Sequence, residues 1–135
     1  MLEERLKERF KDYKNALVRL KESCSLDPEN DIVIDGVIQR FEFTFELAWK
    51  TLKEVFEEEG LIGLNSPKTV LKEAFSAGII EDEKPWINML LDRNATSHLY
   101  SENNAKEICK NIKQKYTKAL EELKNNIIAR IGYMR

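Results

Sequence analysis

The stretch FEFTFEL, residues 41–47, decides the fold, because its apolar and polar residues alternate as they do in a half-buried β-strand. Over a longer window the pattern favours a helix. Apolar residues follow helical spacing at Ile34, Ile38, Phe41, Phe45, Ala48, Leu52 and Val55. Neither Gly nor Pro interrupts residues 37–59. We therefore predict a long helix, whose apolar face is widened by Phe43, Leu47 and Trp49 toward several neighbouring helices.

Two more long helices are predicted, one on each side of this segment. The first ends near Pro28, which lacks a backbone donor and disfavours helical torsions at Asp27. Its apolar positions are Leu2, Leu6, Phe10, Tyr13, Leu17, Leu20 and Cys24. The last helix begins at Asn103 or Asn104, with apolar positions Ile108, Ile112, Tyr116, Ala119, Leu123, Ile127 and Ile131.

Two shorter helices lie between the long ones. One has Ser66 as its cap, Pro67 at its first position and Gly78 as its left-handed stop. Pro85 opens the other, whose inward residues are Trp86, Met89 and Leu90, and a loop follows around SHLYSENN. The predicted fold class is all-α, an antiparallel up-and-down bundle of four to five helices that forms a single domain over residues 1–135.

Composition excludes several classes of protein. There are 22 Lys and Arg against 24 Asp and Glu, so a formal charge of -2 argues against binding nucleic acid over the whole surface. No apolar run approaches the roughly 18 residues of a membrane span, and the charged start MLEERLKERF is unlike a signal peptide. We expect a cytoplasmic protein without membrane contact.

The chain also lacks the residues of a metal site. Zinc requires clustered ligands, whereas this sequence has one histidine and two distant cysteines. Cys24 and Cys109 fall on apolar helical positions and are interpreted as small buried hydrophobic residues. We therefore expect no metal and no cofactor.

The stretch RNATSHLY, residues 93–100, contains that single histidine, His98. On a continuous helix, residues five apart point about 140° away from each other. Arg93 and His98 would therefore converge only if the helix ended between them, for which the polar residues 94–97 are suitable. His98 and Tyr100, two apart in an extended chain, would then point to the same side.

These three side chains suit the cleavage of an RNA phosphodiester. Histidine, with a pKa near 6.5, takes a proton from a 2′-hydroxyl or returns one to the leaving 5′-oxygen. Arginine holds the phosphate and offsets its growing negative charge. Cleavage needs both a base and an acid, so one histidine per chain suggests a homodimer with two copies of His98 in a shared cleft.

A purely structural interpretation of the same residues stays open. Arg93 would then complement a helix C-terminus, His98 would hydrogen-bond in a loop, and Tyr100 would pack as an aromatic hinge residue.

Two stretches together, RFEFTFELAWKTLK and LDRNATSHLY, closely resemble the nucleotidyltransferase substrate-binding proteins of the HEPN superfamily, which include the HepT toxins. The resemblance covers nearly the whole chain. It implies a HEPN-like bundle, a homodimer or higher oligomer, and metal-independent RNA cleavage in which Arg93 and His98 match the catalytic motif. Asn94 matches the polar residue that often follows the motif arginine.

The resemblance also implies a partner, a minimal nucleotidyltransferase that acts as antitoxin by adenylylating (AMPylating) the motif tyrosine, here Tyr100. The added bulk and negative charge would obstruct the phosphate that Arg93 receives. An alternative for the same family is a non-catalytic substrate-binding subunit of a two-component nucleotidyltransferase. A HEPN scaffold that only binds its partner is a third possibility.

Two other groups of residues are candidates for RNA binding. Lys106, Lys110 and Lys113 share one side of the last helix and would follow an RNA backbone into the cleft, although an ordinary solvated face is the favoured interpretation. The aromatic residues Phe41, Phe43, Phe45 and Trp49 are assigned to core or dimer packing rather than base stacking. The adjacent Glu42 and Glu46 would repel RNA and are expected to pair with cations, Glu46 with Lys50.

Overall fold

The computed structural model describes residues 2–98 and 102–132, with side chains for 2–95 and 104–132. The helices are α1 (Leu2–Ser23), α2 (Asp31–Glu58), α3 (Pro67–Ser76), α4 (Lys84–His98), α5 (Glu102–Asn111), a π-helical segment (Ile112–Tyr116) and α6 (Thr117–Arg130). The last three follow one another without a break and are called the last rod. Every regular element in these residues is helical, which confirms the all-α prediction.

Contacts between helices give their directions. Arg9 meets Glu54 while Arg40 reaches the carbonyl of Arg19, so α1 and α2 run antiparallel. Asp92 of α4 meets Asn111, whereas Asn126 reaches the carbonyl of Ile79 just before α4. The last rod therefore runs antiparallel to α4, and both of these helix pairs are antiparallel as predicted.

Helix α2 lies at the centre, and residues 41–47 are helical throughout. Asn30 caps the helix, with its side-chain oxygen accepting from the amides of Ile32 and Val33. Phe41 stacks on Tyr116 with ring centroids 5.5 Å apart, and Phe45 packs 6.3 Å from Trp86. The strand-like alternation is therefore overridden by burial along the helical stripe.

The prediction that Phe43 joins the widened apolar face is wrong. Its side chain is 61 % exposed, whereas Trp49 is buried and Leu47 is half-buried against the core. Position 43 lies about 200° around the helix from the buried Phe41, so it points away from the bundle. Cys24 and Cys109 are only half-buried, and burial raises the pKa of both thiols, that of Cys109 to about 11.

The first of the two shorter helices begins as expected, whereas α4 begins at Lys84, one residue before Pro85. Ser66 and Thr69 form a reciprocal capping box at the start of α3, Pro67 is its first residue, and Gly78 follows it with a φ of 79°. Trp86 and Met89 of α4 are buried, and Leu90 packs against the core.

The predicted end of α4 is wrong. The helix does not stop between Arg93 and His98 but continues to His98. Helix α5 starts at Glu102, one residue before the earlier of the two expected positions.

Candidate functional site

Arg93 lies on the side of α4 that faces α2, and its guanidinium meets Glu46. The hydrogen bond runs from Nη2 of Arg93 to Oε1 of Glu46 and joins residues 47 positions apart in the chain. The other oxygen, Oε2 of Glu46, accepts from the indole Nε1 of Trp49 at 3.1 Å. Lys50 is 3.9 Å from the same oxygen, which confirms the predicted helical pair. The Glu46 carboxylate is thus contacted by two cationic side chains and by one indole N–H donor.

Asn94, the next residue, is exposed, and its side-chain oxygen lies 3.4 Å from Nη1 of Arg93. This distance is at the long end for a hydrogen bond, so the contact is weak. The predicted supporting residue therefore touches the predicted catalytic arginine directly, while Glu46 makes the stronger contact.

Asp92 attaches the same part of α4 to the last rod. Its Oδ2 accepts a hydrogen bond of 2.5 Å from the hydroxyl of Tyr116, and Asn111 Nδ2 lies 3.4 Å from that oxygen. Burial and the Asp92 carboxylate raise the pKa of Tyr116 well above its ordinary value, so the phenol stays protonated. Adjacent residues of α4 are thus held by different helices, Asp92 by the last rod and Arg93 by α2.

His98 is the final residue of α4, and its side chain lies outside the described part of the chain, as does all of Tyr100. Because α4 is continuous from Arg93 to His98, position 98 is turned about 140° around the axis from position 93. Helical geometry therefore does not bring the two motif positions to one side within a single chain.

Two exposed apolar side chains share the side of α4 on which position 98 falls. Ile87 is 48 % exposed and Leu91 is 60 % exposed. Both positions are within about 20° of position 98 around the helix axis. The outer side of α4 thus carries two exposed apolar side chains, while the inner side carries Arg93.

The three lysines lie along α5 and the start of the π segment. All three are exposed, and Lys106 is 3.7 Å from Glu29 in the connection between α1 and α2. This ion pair is compatible with the solvated-face interpretation for Lys106. Whether Lys110 and Lys113 contact RNA stays a prediction.

Sequence reasoning missed the roles of Glu46, Asp92 and Tyr116. Glu46 was assigned to Lys50 because that partner is four residues away, whereas Arg93 is distant in sequence. Tyr116 had a usable signal, because a tyrosine on a buried stripe needs a partner for its hydroxyl. Nothing in the local pattern identified Asp92 as that partner.

Within the described residues, no cluster of three or more His, Cys, Asp or Glu side chains is arranged to hold a metal ion. None of the helices in residues 2–98 and 102–132 has both the length and the apolarity to cross a membrane.

Comparison with known proteins gives a consistent family. The family model described as nucleotidyltransferase substrate binding protein like matches residues 8–129. A Haemophilus influenzae protein named "Probable ribonuclease HepT" is 37 % identical over 79 residues, which are 56 % of this chain and 54 % of that protein. The chain thus spans about half the length of this curated relative.

Solved structures agree with the fold. A Thermus thermophilus protein is 34 % identical over 91 % of this chain and 98 % of its own, with a TM-score of 0.74. A chain of a mutant toxin–antitoxin complex named MntA-HpeT has a TM-score of 0.76 at 17 % identity, covering 92 % of this chain and 97 % of its own. The resemblance inferred from the two sequence motifs is confirmed, and the chain belongs to the nucleotidyltransferase substrate binding protein-like family, with the HepT-like helical fold.

Proposed function

We propose that this protein is a HepT-like toxin ribonuclease that cleaves RNA without a metal ion, with Arg93 and His98 as catalytic residues. The main structural support is the hydrogen bond from Arg93 to Glu46. It involves the arginine of the motif that is expected to bind the scissile phosphate. The similarity to "Probable ribonuclease HepT" supports the reaction class.

In this reaction one His98 removes the proton from a ribose 2′-hydroxyl. The 2′-oxygen attacks the neighbouring phosphorus, and the bond from phosphorus to the 5′-oxygen breaks. A protonated His98 gives its proton to that 5′-oxygen. The products are a 2′,3′-cyclic phosphate and a free 5′-hydroxyl, while Arg93 stabilises the charge that develops on the phosphate oxygens.

The base and the acid come from two copies of the chain. Position 98 lies on the outer side of α4 with the exposed side chains of Ile87 and Leu91, which supports pairing of two α4 helices through this side. In the proposed cleft, Arg93 of one copy acts with His98 of the other, because the two positions point about 140° apart within one helix.

The partner is a minimal nucleotidyltransferase that switches the enzyme off. The Tyr100 hydroxyl attacks the α-phosphorus of ATP, AMP becomes attached to the phenol oxygen, and pyrophosphate leaves. The toxin–antitoxin neighbour supports a partner of this type. The modified tyrosine adds negative charge two residues from His98 and excludes the RNA phosphate.

The primary test is cleavage of a labelled RNA in EDTA by wild type, Arg93→Ala and His98→Ala proteins, with analysis of the product ends. We expect a cyclic phosphate from wild type and loss of cleavage in both variants. An unmodified wild-type protein that leaves the RNA intact, with Tyr100 shown by mass spectrometry to carry no adenylate, would disprove the ribonuclease.

Mixed dimers test the shared cleft. Wild-type and His98→Ala chains are unfolded together, refolded and assayed, so that some dimers contain one copy of each. If the base and the acid are His98 side chains from two copies, a mixed dimer lacks one of them, and the activity falls below the fraction of wild-type chains in the mixture. Light scattering must show a dimer, and an activity proportional to the fraction of wild-type chains would argue against the shared arrangement.

The second candidate function is a substrate-binding subunit of a two-component nucleotidyltransferase, which the description of the matched family favours. Arg93 and His98 would then bind a ligand without cleaving it. This function predicts a protein that is inactive on RNA alone and that changes the nucleotide-transfer activity of its partner.

A further inference from the structure

Glu46 has contacts that fix the direction of its carboxylate. Oε2 accepts from the Trp49 indole at 3.1 Å, and Trp49 itself is only 9 % exposed, so its donor is held by the core. Oε1 points across to α4 and accepts from Nη2 of Arg93. The carboxylate is therefore anchored on its own helix at one oxygen and presents the other to Arg93.

An arginine side chain has several rotatable bonds, and ordering it costs rotamer entropy. Arg93 is 32 % exposed, so packing leaves part of it in solvent. The hydrogen bond from Arg93 to Glu46 limits the orientations of the guanidinium before any phosphate arrives. Groups that are oriented in advance stabilise a transition state without reorganisation during the reaction.

The ion pair is too exposed to be explained by stability. The two side chains are 32 % and 28 % exposed, and ion pairs at such positions contribute little to the free energy of folding. Glu46 also places negative charge next to the site expected to bind a polyanion. That cost to RNA binding requires a compensating role for the carboxylate.

We propose that Glu46 is a positioning residue, which orients Arg93 for the scissile phosphate and does not itself touch the RNA. This inference rests on the proposed ribonuclease function. It predicts opposite effects on two quantities: loss of the carboxylate lowers kcat because Arg93 is less ordered, while RNA affinity stays equal or rises because a negative charge is removed.

The test compares Glu46→Gln with Glu57→Gln, which removes one carboxylate from the same helix about three turns away. For Glu46→Gln we expect kcat to fall by about 10- to 100-fold and the Kd for a non-cleavable 2′-deoxy substrate analogue to stay equal or decrease. Glu57→Gln should change neither. Glu46→Asp keeps the charge and should recover part of kcat.

Each other result overturns the proposal. An unchanged kcat in Glu46→Gln would reduce Glu46 to a surface ion-pair partner. A higher kcat would mean that Glu46 competes with the phosphate for Arg93. A parallel fall in kcat, RNA affinity and melting temperature would indicate a structural defect.

A readout without RNA separates this inference from the ribonuclease. The NMR signal of the Arg93 Nε–H group should report a rigid side chain in wild type and a mobile one in Glu46→Gln, with Arg93→Lys used for assignment. If wild type does not cleave RNA, the proposed function fails. The Nε–H signal still shows whether Glu46 orients Arg93. Equal mobility in both proteins would overturn the positioning of Arg93 by Glu46.

Discussion

Among the arginine–glutamate pairs that attach α2 and the residue after it to other helices, Arg130–Glu59 and Arg93–Glu46 differ in geometry. Arg130 of α6 grips Glu59, just beyond the end of α2, with two hydrogen bonds, Nε to Oε2 at 2.7 Å and Nη2 to Oε1 at 2.8 Å. Arg93 donates to Glu46 from Nη2, and the second oxygen of Glu46 accepts from Trp49. Both oxygens of Glu59 therefore bind Arg130, whereas Glu46 uses one oxygen for Arg93 and the other for Trp49 of its own helix.

Exposure does not explain this difference, because the side chains are 34 % and 38 % exposed in one pair and 32 % and 28 % in the other. In the bidentate pair, two N–H groups of Arg130 bind the two oxygens of one carboxylate, which suits a structural link between helices. A shared carboxylate contacts the arginine through one oxygen, which suits the proposed role of Arg93 in receiving a phosphate. The two pairs therefore predict different responses to the same substitution.

The largest expected effect is a loss of RNA cleavage on substitution of Arg93 but not of Arg130. Arg93→Lys keeps the charge but loses the planar fork, so RNA cleavage should fall by about 100-fold. Arg130→Lys makes the same change in the bidentate pair and should cleave RNA at the wild-type rate. Initial rates on a labelled RNA measure both variants, and equal losses would remove the functional distinction.

The next largest effect is expected on stability, from the hydrogen bond between Tyr116 and Asp92, the neighbour of Arg93. Tyr116→Phe removes the hydroxyl that donates to Asp92, and we expect the free energy of unfolding to fall by about 1–3 kcal/mol. Urea denaturation at pH 7 measures this change. A stability within experimental error of wild type would show that Asp92 does not hold α4 to the last rod.

The same tyrosine gives an alkaline pH dependence. Its pKa is raised in the folded protein from an ordinary value of 10.0, so its contribution to stability is complete below that value. The contribution is lost as pH rises from there toward the folded pKa, because the unfolded chain releases the proton first. The wild-type free energy of unfolding should therefore decline more steeply above pH 10 than that of Tyr116→Phe.

A smaller effect is expected from the row of lysines near the motif. Replacing Lys106, Lys110 and Lys113 with glutamine should weaken RNA binding by about tenfold and flatten its dependence on salt, if these residues contact phosphate. Binding to the uncleaved substrate analogue at several salt concentrations measures both. An unchanged slope would assign the lysines to an ordinary solvated face, of which the pair between Lys106 and Glu29 is already an example.

The smallest effect is expected at the bidentate pair itself. The hydrogen bond from Arg130 lowers the pKa of Glu59 from its ordinary 4.5, so the pair stabilises the fold above that pH. The stabilisation is lost as pH falls through the lowered pKa. Solvent screening limits it to below about 1 kcal/mol, so Glu59→Gln should differ slightly from wild type at pH 7 and not in strong acid.

Much of the fold was predictable because burial follows helical spacing. Phe41 and Phe45 lie on the stripe that overrides the alternation in residues 41–47, and Ser66, Pro67 and Gly78 mark the short helix by their own backbone preferences. The exposure of Phe43 was not predicted. A central helix buries residues outside its main apolar stripe wherever a neighbouring helix covers them, and the sequence does not show which sides are covered.

The site was less predictable because its contacts are distant in sequence. Arg93 was identified from a motif, but its partner Glu46 is 47 residues earlier, and nothing local indicates a pair across two helices. The polar residues 94–97 suggested a helix end, yet α4 continues through them. Polar residues on an exposed helical turn and in a loop have the same composition, so sequence alone did not distinguish them.

The π-helical segment Ile112–Tyr116 affects how related sequences should be aligned. A π turn holds one more residue than an α turn, so this segment accommodates an extra residue within one turn of the last rod. Deleting one residue here would let the turn become α-helical, while α5 and α6 keep their packing against the core. In an alignment, a one-residue gap within this otherwise unbroken helix belongs at residues 112–116.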